Sequence, residues 1–451
     1  MAEQTDLMKK SHTCALLLCI LLLGAGGKRQ SLDALITDFC SGYKQLNIPG
    51  ITYDYKEYFN AIPPLENLQR QEEFFSSMRS RMLPFKAKKL KHGKQVQLDH
   101  LEYEIEFNMR RIALEKNWVT GQRMLHVNGL HGLQDYKAWY TLFIQKFTSL
   151  DIRPEEVMSL GINELERVKN EMRSLQEQAG FKDSVAFYRF LNSDTFVIYD
   201  KQELLNLFHT NDSIIRTWLP EFAGRFRIPR VFPMEWPGAG AHTPPGMYLS
   251  KTDNAYGRAV FQYNFYGNRF NRRSIDWIYM HEALPGHHLQ WCFRNMKRPD
   301  PLQELGFYPG NFEGWACYVE YYGKELGMYR DLYSYFGKWE WDLVRSARLV
   351  IETGIHYYGW TREEALAYWK KHIPGQDDIA EREITRVTNW PGQALTYKTG
   401  AKALAELRKK MEQKEGTSFD RKRFHRCFLS FGSRPMSVII KHFENAYHHE
   451  K

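Results

Sequence analysis

Residues 279–290 read Tyr-Met-His-Glu-Ala-Leu-Pro-Gly-His-His-Leu-Gln, so His281, Glu282, His287 and His288 fall within eight positions. Imidazoles and a carboxylate at this density are the ligand and base types of a zinc hydrolase. In the familiar H-E-x-x-H helix the two His lie at i and i+4 and face one ion, while the Glu is the general base. Here i+4 from His281 is Pro285, and the next histidines follow at i+6 and i+7. Pro285 lacks an N–H and Gly286 tolerates unusual backbone angles. The pair therefore predicts a break between Glu282 and His287 that absorbs the extra residues. Either His287 or His288 then becomes the second ligand, with His287 favoured. A catalytic zinc needs a third protein ligand and an open position. Glu313, in Asn311-Phe312-Glu313-Gly314-Trp315-Ala316, is placed to return on a following antiparallel helix. Glu320, two turns further on, becomes a partner for a ligand imidazole. The alternative is a helix end rich in satisfied histidines without a metal.

The elements that must carry these residues are mainly helical. Apolar positions recur at three and four in 97–114 (Leu98, Leu101, Ile105, Met109), and helical patterns fill 136–147, 201–220 and 333–353. Pro154 with Glu155 and Glu156 marks a helix start that Gly161 is expected to end, with a separate helix over 162–179. Thr361-Arg362-Glu363-Glu364 is a capping box. Between 228 and 264, repeated Pro and Gly leave only short extended segments around Arg230, Gly246–Ser250 and Arg258–Tyr263. This predicts one small β region directly before the histidine motif, where an edge strand would hold an extended peptide.

Composition bounds the rest. The 451 residues are 43% hydrophobic and 25% charged, an ordinary globular balance with room for a large core. The net charge of +9 is spread thinly, and the basic stretch 86–94 reads as a solvated loop, so nucleic-acid binding is not expected. Lys9 and Lys10 precede an apolar run that ends in Ala25-Gly26-Gly27. Residues 1–27 are read as a secretory signal peptide or a retained membrane anchor, with 28–451 as a single helical domain, in one or two lobes about a cleft. Membrane attachment is expected only if the N-terminal segment is kept. The exported reading allows one or two disulfides among Cys40, Cys292, Cys317 and Cys427 and a glycan at Asn211.

Beyond the motif, Arg345-Ser346-Ala347-Arg348 through His356, Gly359 through Ala365, Pro391 through Gly400, and Gly432 through Met436 complete a set of segments. With 136–172, this set resembles the domain of unknown function family 885 over roughly residues 100–445. That family is similar in motif logic to gluzincin peptidases, including the carboxypeptidase Taq and thimet oligopeptidase groups, and dipeptidyl peptidase III offers a stretched H-E-x-x-x-H. The resemblance implies a mainly α, gluzincin-like fold with a small β region beside a deep cleft. It further implies a zinc-dependent metallopeptidase that cleaves short peptides, with Zn²⁺ on His281, His287 (or His288) and Glu313. Glu282 would be the base, Tyr397 and His356 candidate oxyanion donors, and Arg345 and Arg348 candidate carboxylate binders. Each has a structural alternative: for Tyr397 and His356 a core residue with a satisfied polar tip, and for the two Arg a structural ion pair, for Arg348 with Glu352 at i+4. A zinc enzyme of another class (an amide hydrolase or a peptide-modifying enzyme) and a non-catalytic binding protein are the competing functions.

Overall fold

Buried apolar stripes and side-chain caps set the helices. In the computed structural model, residues 30–50, 54–121, 124–125, 128–296 and 299–449 are described. The signal-peptide reading of 1–27 lies outside them. Four helices come first: α1 (Leu32–Gln45), α2 (Tyr55–Ala61), α3 (Leu65–Lys86) and α4 (His92–Thr120). Ser31 and Asp54 cap the first two through their side chains. Next come α5 (Tyr136–Thr148), α6 (Pro154–Gln178), α7 (Ser184–Leu191) and α8 (Lys201–Phe222). Helix α6 runs straight through Gly161, against the expected stop. A Cβ there would lie 2.8 Å from Leu349 and Val350, so this glycine serves close packing rather than termination.

The β region is where the Pro/Gly pattern put it. Strands β2 (Phe232–Glu235), β3 (Gly246–Leu249) and β4 (Val260–Tyr263) form a sheet of order β2-β4-β3, with β2 parallel and β3 antiparallel to β4. A second, two-stranded sheet pairs β1 (Val197–Ile198) with β5 (Phe270–Asn271), outside the single β region expected, because these two-residue strands carry no pattern long enough to read. Strand β4 is buried along its length, and β3 is an edge strand.

The remaining helices are α9 (Ile275–Glu282), α10 (His287–Met296), α11 (Pro301–Leu305), α12 (Pro309–Tyr321), α13 (Leu332–Thr353), α14 (Arg362–His372), α15 (Ala380–Asn389), α16 (Thr396–Glu415), α17 (Arg421–Ser430) and α18 (Met436–His449). The Thr361 capping box opens α14 as the sequence indicates. The fold is mainly α, and its core is continuous around α9, α12 and α16, where Trp315, Tyr318 and Leu404 are fully buried. Helices α12 and α16 touch main chain to main chain: a Cβ on Gly314 would sit 2.7 Å from Gly400. Among the described residues no helix is long and apolar enough to cross a membrane.

Two expectations about exported chemistry fail. Among the described residues Cys40, Cys292, Cys317 and Cys427 form no disulfide, because packing scatters them over different helices. The Asn211 amide is buried and donates to Asp276 Oδ1 at 2.9 Å, so it is not presented to a glycosylating enzyme.

Candidate active site

Helix α9 is buried at every position and stops at Glu282. Ala283 closes it, donating to Tyr279 O at 2.8 Å while its own ψ of −104° leaves the helical region. The chain then turns sharply enough that a Cβ on Gly286 would lie 1.9 Å from His281 O. Only glycine permits that approach. Trp315 Nε1 donates to Pro285 O at 2.9 Å and pins the turn to α12. Helix α10 begins at His287. The interruption between Glu282 and His287 is thus a feature of the fold.

Glu313, on the first half of α12, faces both imidazoles. His281 Nε2 lies 3.3 Å and His287 Nε2 lies 3.5 Å from the same carboxylate oxygen, Oε2. Ligands held about 2.0–2.1 Å from a tetrahedral zinc are about 3.3 Å from each other. The spacing therefore matches a three-ligand zinc set rather than hydrogen bonds. Consistently, Glu313 Oε2 is buried and has no hydrogen-bond partner. Burial opposes the charge on Glu313, but the two imidazoles outweigh it and hold the carboxyl well below the usual range. The residues present fit the ion.

The surroundings orient these candidate ligands. His281 Nδ1 donates to Glu320 Oε1 at 2.7 Å, which directs its Nε2 toward Glu313. Arg345 Nη1 holds the other oxygen of Glu320 at 2.6 Å. His287 stacks on Phe312 with centroids 3.9 Å apart. His288 does not reach the site, contrary to its reading as an alternate ligand. Its Nδ1 bonds Tyr248 OH at 3.0 Å and its Nε2 donates to Pro229 O at 2.9 Å, so the β region occupies both ring nitrogens. Glu282 is buried beside the ligands, and burial pushes its carboxyl above the usual range. The carboxylate accepts from the backbone N–H of Tyr248, on the outer edge of β3.

These groups open into a cavity of about 950 Å³ with an aromatic lining that includes Trp236, Tyr248, Phe307, Trp341, Trp390 and Tyr397. The Tyr397 ring stacks 6.3 Å from that of His281, and its hydroxyl accepts from Arg386 Nη2 at 3.0 Å. Tyr397 is therefore in the site. His356 is not. It is fully buried behind α13, where its Nδ1 accepts from Leu130 N at 3.0 Å and its Nε2 donates to Val387 O at 2.8 Å. Arg345 and Arg348 both line the cavity but carry ion pairs. Arg345 is held by Glu320. Arg348 binds Glu383, with its Nε at 2.8 Å, and not Glu352. Glu352 turns instead to accept from Gly392 N at 2.6 Å. Sequence reasoning missed Arg382 and Arg386, which line the cavity from α15. Their i, i+4 spacing on one helix face was the available signal.

His356 carries a pH signature instead of a catalytic one. Burial lowers its pKa to about 4 from 6.5. The folded state thus resists a proton that the unfolded chain accepts. Its contribution is complete above pH 6.5 and is lost as the pH falls toward 4, a change of about 3 kcal/mol. Denaturant titrations of His356→Gln across this window should show a shallower fall of stability with acid than the parent. Identical slopes would exclude the assignment.

Residues 117–442 match a family model described as bacterial protein of unknown function (DUF885). Two solved structures share the fold. A candidate lipoprotein from Colwellia psychrerythraea superposes with a TM-score of 0.67 at 21% identity, covering 93% of this chain and 74% of that one. A candidate lipoprotein of unknown function from Shewanella oneidensis gives 0.59 at 18% identity, covering 89% and 81%. No curated protein matches the chain.

Proposed function

The chain belongs to the DUF885 family of bacterial proteins of unknown function, and from that premise we propose that it is a zinc-dependent hydrolase cleaving amide bonds in short peptides. The observation that carries this reading is the convergence of His281, His287 and Glu313 at zinc-ligand spacing, with Glu282 buried alongside. Bound by those three residues, zinc would supply Lewis-acid polarisation of a carbonyl and a water of lowered pKa. The protein's own groups account for the rest. Glu282, with its raised pKa, takes a proton from the attacking water and delivers it to the leaving amine. The Tyr397 hydroxyl accepts from Arg386 and Gln393, which leaves its own O–H to donate to the developing oxyanion. The outer edge of β3 offers main-chain groups to an extended substrate, which favours a peptide over a compact amide.

An envelope or exported location fits the basic-then-apolar N-terminal segment and the candidate lipoproteins that share the fold. Elemental analysis of the purified protein, followed by mass spectrometry of a peptide panel, tests the function. Stoichiometric zinc and chelator-sensitive cleavage at amide bonds are expected. Bound zinc with every peptide intact would point to another reaction class, and absence of zinc affinity would remove the proposal.

A further inference from the structure

The cavity wall beyond Tyr397 carries more positive than negative charge. Glu383 is the carboxylate of that wall, and it is shared by Arg348, with its Nη2 at 2.7 Å, and Arg382, with its Nη2 at 3.0 Å. Arg345 is matched by Glu320. Arg386 has no carboxylate partner among the described residues. It bonds only neutral groups, Gln393 Oε1 at 2.6 Å and the Tyr397 hydroxyl at 3.0 Å. Lys146, on another wall of the same cavity, lies in the field of Glu104.

Glu383 and Glu313 act on Arg386 only through space, so this guanidinium, in a concave wall with no carboxylate in ion-pair contact, is set up to receive an anion. Its planar fork fits a carboxylate with two parallel hydrogen bonds. Its position limits which carboxylate. The Tyr397 ring bridges from His281 on one side to Arg386 on the other. The gap between the zinc ligands and the guanidinium is therefore about one aromatic side chain. An extended peptide advances about 3.3–3.6 Å per residue, so one or two residues fit between the scissile bond and Arg386.

Resting on the hydrolase reading above, we propose that Arg386 binds the free C-terminal carboxylate of the substrate, so the protein removes one or two residues from peptide C-termini. Gln393 and Tyr397 hold the guanidinium in place before substrate arrives. Arg345 and Arg348 are positioning residues here, since Glu320 and Glu383 already use their charge.

Binding and cleavage separate this assignment from the hydrolase reading itself. Calorimetry of zinc-loaded Glu282→Gln protein would compare tripeptides with their C-terminal amides. The free acids should bind about 10- to 100-fold more tightly. Adding Arg386→Gln should erase that difference, and Arg386→Lys should restore part of it. Equal binding of acid and amide would overturn the assignment. So would amidated peptides ending in Glu that bind as tightly as the free acids, since the recognised carboxylate would then be a side chain. Turnover is the independent arm. If the parent protein cuts acids and amides alike, hydrolysis stands and the Arg386 role falls. If it cuts nothing yet prefers acids in binding, the Arg386 role stands and hydrolysis falls.

Discussion

Glu282→Gln protein is expected to bind zinc as the parent does and to hydrolyse peptides about 10²- to 10⁴-fold more slowly. The size of the loss is that of a general acid–base catalyst. The substitution keeps the shape of the side chain and its capacity to accept from the Tyr248 N–H. Glu282 is not one of the three groups that converge at ligand spacing, so the ion has no reason to leave. Two measurements check the expectation: zinc per chain by elemental analysis, and initial rates on a peptide that the parent cuts. Unchanged rates would exclude Glu282 as the base. Parallel loss of zinc and rate would make it a structural support of the site instead.

The second large effect concerns a residue with no functional group. Gly286→Ala places a methyl 1.9 Å from His281 O and 2.3 Å from Met280 O, both main-chain atoms that no rotamer change can move. The turn must open, at a cost of about 3 kcal/mol or more. His287 starts α10 one residue later, so its imidazole moves with the turn. A ligand displaced by more than about 0.5 Å no longer completes the site, and zinc affinity should fall at least about 100-fold. Gly93→Ala is the control. It lies in α4 with nothing within 4 Å of the added methyl, and should be neutral or stabilising by about 0.5–1 kcal/mol. Competition titration with a zinc-binding dye reads the affinity in both variants. Retained affinity in Gly286→Ala would show that α9 and α10 are not coupled through this turn.

The interruption of the helix was legible because Pro285 and Gly286 carry their backbone chemistry in their identities. The mainly helical fold and the small β region were legible for the same reason, through apolar periodicity and clustered breakers. The choice between His287 and His288 was not. It is decided by Tyr248 and the Pro229 carbonyl, which reach His288 from the β region. Gly161 looked like a stop and is a contact surface, because what it faces is supplied by α13. His356 lies in a segment shared with the family, yet packing puts it behind α13, bonded to Leu130 and Val387. Arg348 was expected to find Glu352 one turn away, and a buried carboxylate on α15 took it instead. In each case a local rule met a partner from a distant element, which spacing alone does not encode.

The contact between Gly314 and Gly400 has a mechanical meaning. Glu313 precedes one of these glycines, and Tyr397 lies one turn before the other. Where two backbones touch, neither helix can roll or slide without breaking the contact. The separation of the third candidate ligand from the tyrosine is therefore fixed by the main chain, as a rivet fixes two plates. Any breathing of the cavity falls to walls that lack such a backbone contact with α12 and α16, such as α15. Substrate entry can then deform the chamber without disturbing the spacing at its centre.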